Sequence, residues 1–255
     1  MARFAWLLLF ACAGCQALGL SSSGAPQLRL SPTKPPEGPS SAGAAETTAA
    51  LDPDFLLGRA TSLAAQGENA SAAEELGKYI ALRPEHLSAR AQLGELLFRQ
   101  GKFDEARLHL ELFIALAQDH GEEAFRHLIH CHSRLVEIAE EQNDDYEEHL
   151  NRGIGLYLLA VKRAGEGDPD GECSEASLLC RAAAELQMAR EDQPDQARVH
   201  LYLYQTWKRL GQHAAAMRSL EAADSLALLS RLTPLERREL QAACVGENNR
   251  LRASH

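Results

Sequence analysis

Histidine and cysteine are concentrated in one stretch, where His127, His130, Cys131 and His132 fall within six residues and His120 and His149 lie near by. On a helix, His127, His130 and Cys131 are three and four apart and share a face, so they could offer soft ligands to zinc or copper. No second cluster with ligand spacing completes a four-coordinate site. The alternative is that Cys131 fills a small-residue slot between two helices while the histidines flank it. An acidic run follows: Glu137, Glu140, Glu141, Asp144, Asp145, Glu147 and Glu148. It reads as a docking patch for a basic partner or a weak divalent-cation site, or as a solvated turn in which Asp144 or Asp145 caps a helix. Asp168-Pro169-Asp170-Gly171 carries part of a calcium loop, but the third alternating acid and the distant Glu of an EF-hand are missing. No nucleophile-elbow, phosphate-loop or HExxH sequence occurs. The chain therefore reads as a non-enzyme without a cofactor.

These residues must be held by helices. The chain of 255 residues is rich in Ala, Leu, Glu and Arg and has only 5% aromatic residues, a composition that favours an all-α protein. Its net charge of -10 disfavours phosphate backbones, so nucleic acid is not an expected partner. Leu63-Ala64-Ala65-Gln66-Gly67 and Leu97-Phe98-Arg99-Gln100-Gly101 lie 34 residues apart, and Ala60/Gly94, Ala72/Ala106 and Leu76/Leu110 keep the same offset. A fixed period of that length is the signature of stacked helix–turn–helix units. One unit runs over 53–86, a second over 87–120, and a third good match covers 197–230 with Leu203, Trp207, Gly211, Ala216, Leu220 and Ala223.

The pattern Leu93-Gly94, Leu97, Gly101, Ala106, Leu110, with Pro84 closing the first unit, resembles the tetratricopeptide repeat family. The resemblance implies an all-α, right-handed solenoid of helical hairpins ending in a capping helix. It also implies a scaffold or adaptor function, with proteins or peptides bound along the concave face. In the family that face is lined by first-helix positions, which fall here on Leu57, Thr61 and Ala64, then Ala91, Glu95 and Phe98, then Leu201, Gln205 and Lys208. Members that grip acidic chaperone tails carry Lys and Asn at such places; Leu57, Thr61 and Gln92 depart from that pattern. Tyr79, Phe113 and Tyr204 stand where the family has small residues, so neighbouring small side chains must make room for them.

Between the good units the period breaks, because Gly101 and Gly211 are separated by three periods plus eight residues. Long helices are expected over 122–142 and 144–164 and another over 174–191, three helices where two repeats need four. Gly153, Tyr157 and Ala160 echo the second-helix pattern, so one irregular hairpin and one unpaired or re-phased helix are expected. A last helix begins at Thr233-Pro234-Leu235-Glu236, which combines an N-cap, a first-turn proline and a Glu three residues after the cap. Its Glu236, Arg237, Arg238 and Glu239 suit a solvated outer face.

The N-terminus carries different information. Arg3 and the apolar run Phe4–Ala11 read as a secretory signal, expected over 1–15. Gly14-Cys15 resembles the lipobox of bacterial lipoproteins, which places lipidation on Cys15; Leu9-Phe10-Ala11-Cys12 makes Cys12 the alternative, and cleavage at Ala11-Cys12-Ala13 would leave no lipid. Residues 16–50, rich in Ser, Pro, Gly and Ala, are expected to be a disordered tether. The repeat domain is then 51–247 and the flexible tail 248–255. Of the mature cysteines Cys131, Cys173, Cys180 and Cys244, most are expected as buried free thiols. The function expected is a non-catalytic scaffold in the bacterial cell envelope, lipid-anchored at the outer membrane or periplasmic face, or else secreted. The alternatives are an exported metal-binding protein using His127, His130 and Cys131, and a helical subunit that only oligomerises.

Overall fold

Asp52 starts the first helix, α1 (Pro53–Ala65), by accepting the Asp54 N–H at 3.1 Å, with Pro53 at the first helical position, where no N–H is needed. In the computed structural model, residues 52–117, 121–166 and 174–253 are described, all within the unit Ala42–His255. They form α1, α2 (Asn69–Leu82), α3 (Leu87–Arg99), α4 (Phe103–Leu116), α5 (Gly121–Gln142), α6 (Asp145–Glu166), α7 (Glu175–Asp192), α8 (Ala197–Arg209), α9 (His213–Leu226) and α10 (Pro234–Ala253). The last helix runs beyond 247, where the repeat domain was expected to end. The signal, Cys12, Cys15 and the 16–50 tether lie outside the described residues, as do Cys173 and the Asp168–Gly171 loop.

One backbone device makes the hairpins. After α1, α3 and α8 the chain turns at Gly67, Gly101 and Gly211, with φ of 80°, 72° and 72°. At Gly101 the glycine N–H donates to Phe98 O at 2.9 Å and the following Lys102 N–H to Leu97 O at 3.0 Å, the Schellman pattern; Gly67 and Gly211 repeat it. Only glycine takes that left-handed backbone without a steric penalty. The turns fold α1 onto α2, α3 onto α4 and α8 onto α9.

Small residues set the distance within each hairpin. Ala60, Ala72, Ala106, Ala182 and Ala216 are all buried. At Gly94 a β-carbon would come within 2.9 Å of Leu110 Cδ2. Leucine therefore packs directly on backbone at the crossing. The bulky exceptions are housed by aromatic contacts: Tyr79 meets the His86 ring edge-on at 5.2 Å, and Phe113 meets His127 at 6.0 Å.

The period break has a definite form. The expected long helices are present, each of 22 residues. The α5–α6 turn is again a Schellman turn, with Asn143 at φ 55° taking the glycine position and Asp144 N–H donating to Ala139 O at 3.0 Å. By its turn, α6 is the second helix of a hairpin with α5. By its packing it is the first helix of a hairpin with α7. A β-carbon on Gly153 would lie 2.6 Å from Leu186 Cγ and 3.2 Å from its backbone N, the same approach as Gly94 on Leu110. The assignment of Gly153, Tyr157 and Ala160 to the second-helix role is therefore corrected: Gly153 meets α7, Ala160 packs with Leu178 and Leu179, and the Tyr157 ring sits 6.0 Å from Tyr202. One helix serving two hairpins removes one helix from the count, which explains three helices in place of four.

From α7 onward the original pattern resumes. The loops after α2 and α7 match: the Pro84 carbonyl accepts Arg90 Nε at 2.9 Å, and the Pro194 carbonyl pairs with His200 Nε2 at 2.8 Å. The α10 start is a reciprocal capping box, Thr233 N to Glu236 Oε2 at 2.7 Å and Glu236 N to Thr233 Oγ1 at 3.2 Å. Glu236 is not on a solvated face as expected. It is 4% exposed, its carboxylate also paired with Arg198, whose Nη2 donates to it at 3.1 Å.

Gly153→Ala is expected to destabilise the protein by about 1–3 kcal/mol, since Leu186 backbone and side chain block the added methyl. Gly58→Ala in α1, where a β-carbon meets nothing within 4 Å, is expected to be neutral or stabilising by up to ~1 kcal/mol. Urea denaturation of the two variants against the parent checks this contrast.

Candidate binding groove

Among the helices that begin hairpins, α5 packs against α3, and α1 contributes residues to the same face. Their shared face forms a groove of about 320 Å³ lined by Thr61, Ala64, Ala91, Gln92, Glu95 and Arg99, with His127 and His130 on the α5 wall. Small side chains from α1 and α3 make the floor, so the groove exists because Ala60, Ala64 and Ala91 have no bulk to fill it. Its lining combines an apolar floor with hydrogen-bonding walls, as sites for extended or helical peptides do.

Glu95 is the polar centre. Its carboxylate accepts from Arg134 Nε at 2.7 Å, Arg134 Nη2 at 3.2 Å and Arg99 Nε at 2.9 Å, and lies 3.2 Å from His130 Nε2. Those partners, His130 first and then the arginines, hold its pKa down at about 2 against the cost of burial. Arg134 continues to Glu137 at 2.7 Å and stacks over the Phe98 ring at 4.9 Å. The wall is thus a charge-balanced network with fixed geometry.

The structure separates the sequence candidates. Thr61, Ala91 and Glu95 line the groove. Leu57 and Phe98 instead pack against the core, Phe98 lying between Phe103 and Arg134. Leu201 is completely buried among α8–α10. Gln205 donates to Glu239 at 2.9 Å, and Lys208 pairs with Glu247 at 3.0 Å and Tyr204 Oη at 2.7 Å. Helix α10 lies across those positions, so the expected groove does not continue along α8.

The His/Cys cluster is dispersed. His127 faces Phe113 and His130 faces Glu95, while Cys131 is fully buried, its thiol pushed up to about 12 by burial and then by the charge of Glu95. A thiol held protonated is a poor metal ligand. Among the described residues no group of three or more His, Cys, Asp and Glu is placed to hold a metal ion. His127 and His130 belong to the groove wall, a role that the family's first-helix positions, mapped only onto the three well-matched units, do not reveal, although α5 begins one period after α3. The acidic run is mostly spent on partners: Glu140 and Glu148 meet Arg152 at 2.7 and 2.8 Å, and Asp144 caps α6 through the Glu147 N–H. Of the cysteines expected to be buried, Cys131 is, whereas Cys180 is exposed and Cys244 half-buried.

Residues 63–128 match the family model of the tetratricopeptide repeat. No curated protein sequence matches the chain. Among solved structures, a crystal structure of MamA is 11% identical, covering 70% of this chain and 92% of that one with a TM-score of 0.35. YrrB, described as a TPR protein with an unusual peptide-binding site, is 16% identical over 80% of this chain and 97% of its own, with a TM-score of 0.33. A MamA fragment from Desulfovibrio magneticus RS-1 is 14% identical over 71% of this chain and 97% of its own, with a TM-score of 0.32. The match identifies tetratricopeptide repeats within residues 63–128, and the recurring Schellman turns and small-residue crossings extend the same all-α, TPR-like solenoid fold across the described residues.

Glu95 links stability to pH. Its pKa is lowered on folding, so its contribution is fully present above the unfolded value near 4.5 and is lost as pH falls toward about 2. Glu95→Gln is therefore expected to lower stability at neutral pH and to flatten the pH dependence between about 4.5 and 2. Denaturant midpoints measured across that range check the sign; the groove's partial exposure keeps the effect modest.

Proposed function

We propose that this chain is a non-catalytic scaffold that binds a peptide or helix of a partner protein in the α1–α3–α5 groove. The observation that carries the reading is the groove itself: small-residue floor, fixed polar wall around Glu95, and no covering element among the described residues. Repeat arrays of this class present such faces to partners, and their rigidity limits the entropy lost on binding. With Arg99 and Arg134 already committed to Glu95, a partner's backbone amides and a short apolar side chain suit the groove better than a strongly acidic tail.

The cell-envelope location is part of the same proposal. The Phe4–Ala11 run followed by Gly14-Cys15 supports lipidation at Cys15, or at Cys12, and residues 16–50 give the repeat domain a tether long enough to stand off a membrane. Among the described residues no helix is long and apolar enough to cross a membrane. An acyl anchor would supply the attachment. A purely oligomerising subunit is the competing reading, and self-association decides between them.

Thr61→Arg places a long cation in the groove from an exposed position and is expected to abolish capture of partner proteins from envelope membranes, with helix content and self-association unchanged. Loss of self-association in parallel with capture would favour the oligomerising subunit. Metabolic labelling with a fatty acid in a bacterial host is expected to tag the parent and to be lost in Cys15→Ser. Retained label in that variant and loss in Cys12→Ser would move the anchor to Cys12, and no label in the parent would remove the anchor from the proposal.

A further inference from the structure

The period break leaves a second, larger cavity away from the groove, of about 700 Å³, between α4, α5, α6, α8 and the start of α10. It is within the size range of small-molecule sites, which are apolar with a few convergent polar groups. Leu108 and Leu112 of α4 and Leu229 of the α9–α10 segment line it and are exposed, while the interior holds buried His132 and Asn151 with Glu147. The hydrogen bonds in that interior fix which atoms remain for a ligand. The Asn151 amide nitrogen donates to the Glu147 carbonyl and to Glu147 Oε2, both at 2.9 Å, so its oxygen faces His132 Nδ1 at 2.9 Å. Nδ1 must then carry the ring proton, and Nε2 is left as an acceptor. His132 is 5% exposed, and among the described residues its one side-chain hydrogen bond is made by Nδ1, which leaves Nε2 to the cavity. Among the described residues the Glu147 carboxylate accepts only at Oε2, which leaves its second oxygen as a further acceptor.

The charges facing this interior are mostly neutralised in pairs. Arg198 donates from Nη2 to Glu236 Oε2 at 3.1 Å and pairs in charge with Oε1 at 2.8 Å from Nε, although the buried Nε makes no hydrogen bond, and Arg107 lies 3.8 Å from Asp144. Arg231 and Glu111 are at exposed positions and oppose each other in sign. Glu147 remains as the carboxyl without a cation of its own. Burial pushes its pKa up even with Arg198 and Arg107 acting to lower it, and burial keeps His132 neutral, down at about 4. Two unmet acceptors beside leucine side chains call for N–H donors on an apolar body.

We propose that the cavity at the α6 phase break binds a small organic cation, a primary ammonium or guanidinium on a short aliphatic chain, whose N–H groups bridge His132 Nε2 and the Glu147 carboxylate while the chain lies on Leu108, Leu112 and Leu229. This site is distinct from the α1–α3–α5 groove and stands or falls independently of it.

The test is calorimetric titration of the full chain with hexylammonium and, separately, hexanoate, with the His132 ring nitrogens followed by NMR. The expected result is saturable one-to-one binding of hexylammonium that shifts the Nε2 resonance, with hexanoate at least about tenfold weaker. Glu147→Gln is expected to weaken hexylammonium about tenfold without altering peptide capture by the groove. Leu112→Lys, at an exposed position on the rim, supplies a competing tethered cation and is expected to weaken it similarly should Glu147→Gln fail to fold. Equal binding of hexanoate, no saturable heat with hexylammonium, or unchanged affinity in the folded variants overturns the proposal.

Discussion

Close approach of leucine to bare backbone at each helix crossing is the constraint on which this fold depends. Gly94 receives Leu110, and Gly153 receives Leu186, at distances that a β-carbon would occupy. Alanines at 60, 72, 106, 182 and 216 are buried at the other crossings. Because the hairpins are this closely packed, their outer residues are positioned with little freedom, and the faces between them become permanent features. The groove floor of Ala60, Ala64 and Ala91 follows from the same requirement that permits the crossings.

The irregular middle is a change of phase within that scheme. Helix α6 is entered through the turn that closes first helices and is then packed as a first helix itself. The consequence is local and chemical. A cavity lies beside the phase break, lined by residues of α4, α5, α6, α8 and α10. Burying Glu236 against the half-buried Arg198 is tolerable because the carboxylate serves a capping box and a guanidinium at once. An ion pair of this kind adds little net stability, since desolvation offsets much of the attraction. The same helix lies over Leu201, Gln205 and Lys208, which limits the open groove to the first three helices of its kind.

Several elements were legible in the sequence because their cause is local. The Gly67, Gly101 and Gly211 turns, the small residues at fixed spacing, the Thr233–Glu236 cap and the long helices over 122–142 and 144–164 are each encoded within a few turns of chain. Thr61, Ala91 and Glu95 could be placed on the groove because the repeat register carries them. The register failed for Leu201 and Phe98, whose exposure depends on what packs against them from elsewhere: α10 in one case, Arg134 and Phe103 in the other. His127 and His130 looked like ligands because helical spacing places them on one side, yet each is drawn to a different neighbour, Phe113 and Glu95.

The amino-acid sequence alone determined the secondary structure, the repeat and the hairpin turns, since apolar periodicity, glycine and caps act over distances shorter than one unit. Tertiary structure decided which helix Gly153 meets, that Glu236 is buried rather than solvated, and that His132 and Glu147 face a shared cavity. Those outcomes depend on pairings between helices joined by turns of unequal length. A 22-residue helix offers two faces that can each satisfy the same packing rule, and only the assembled neighbours select how both are used.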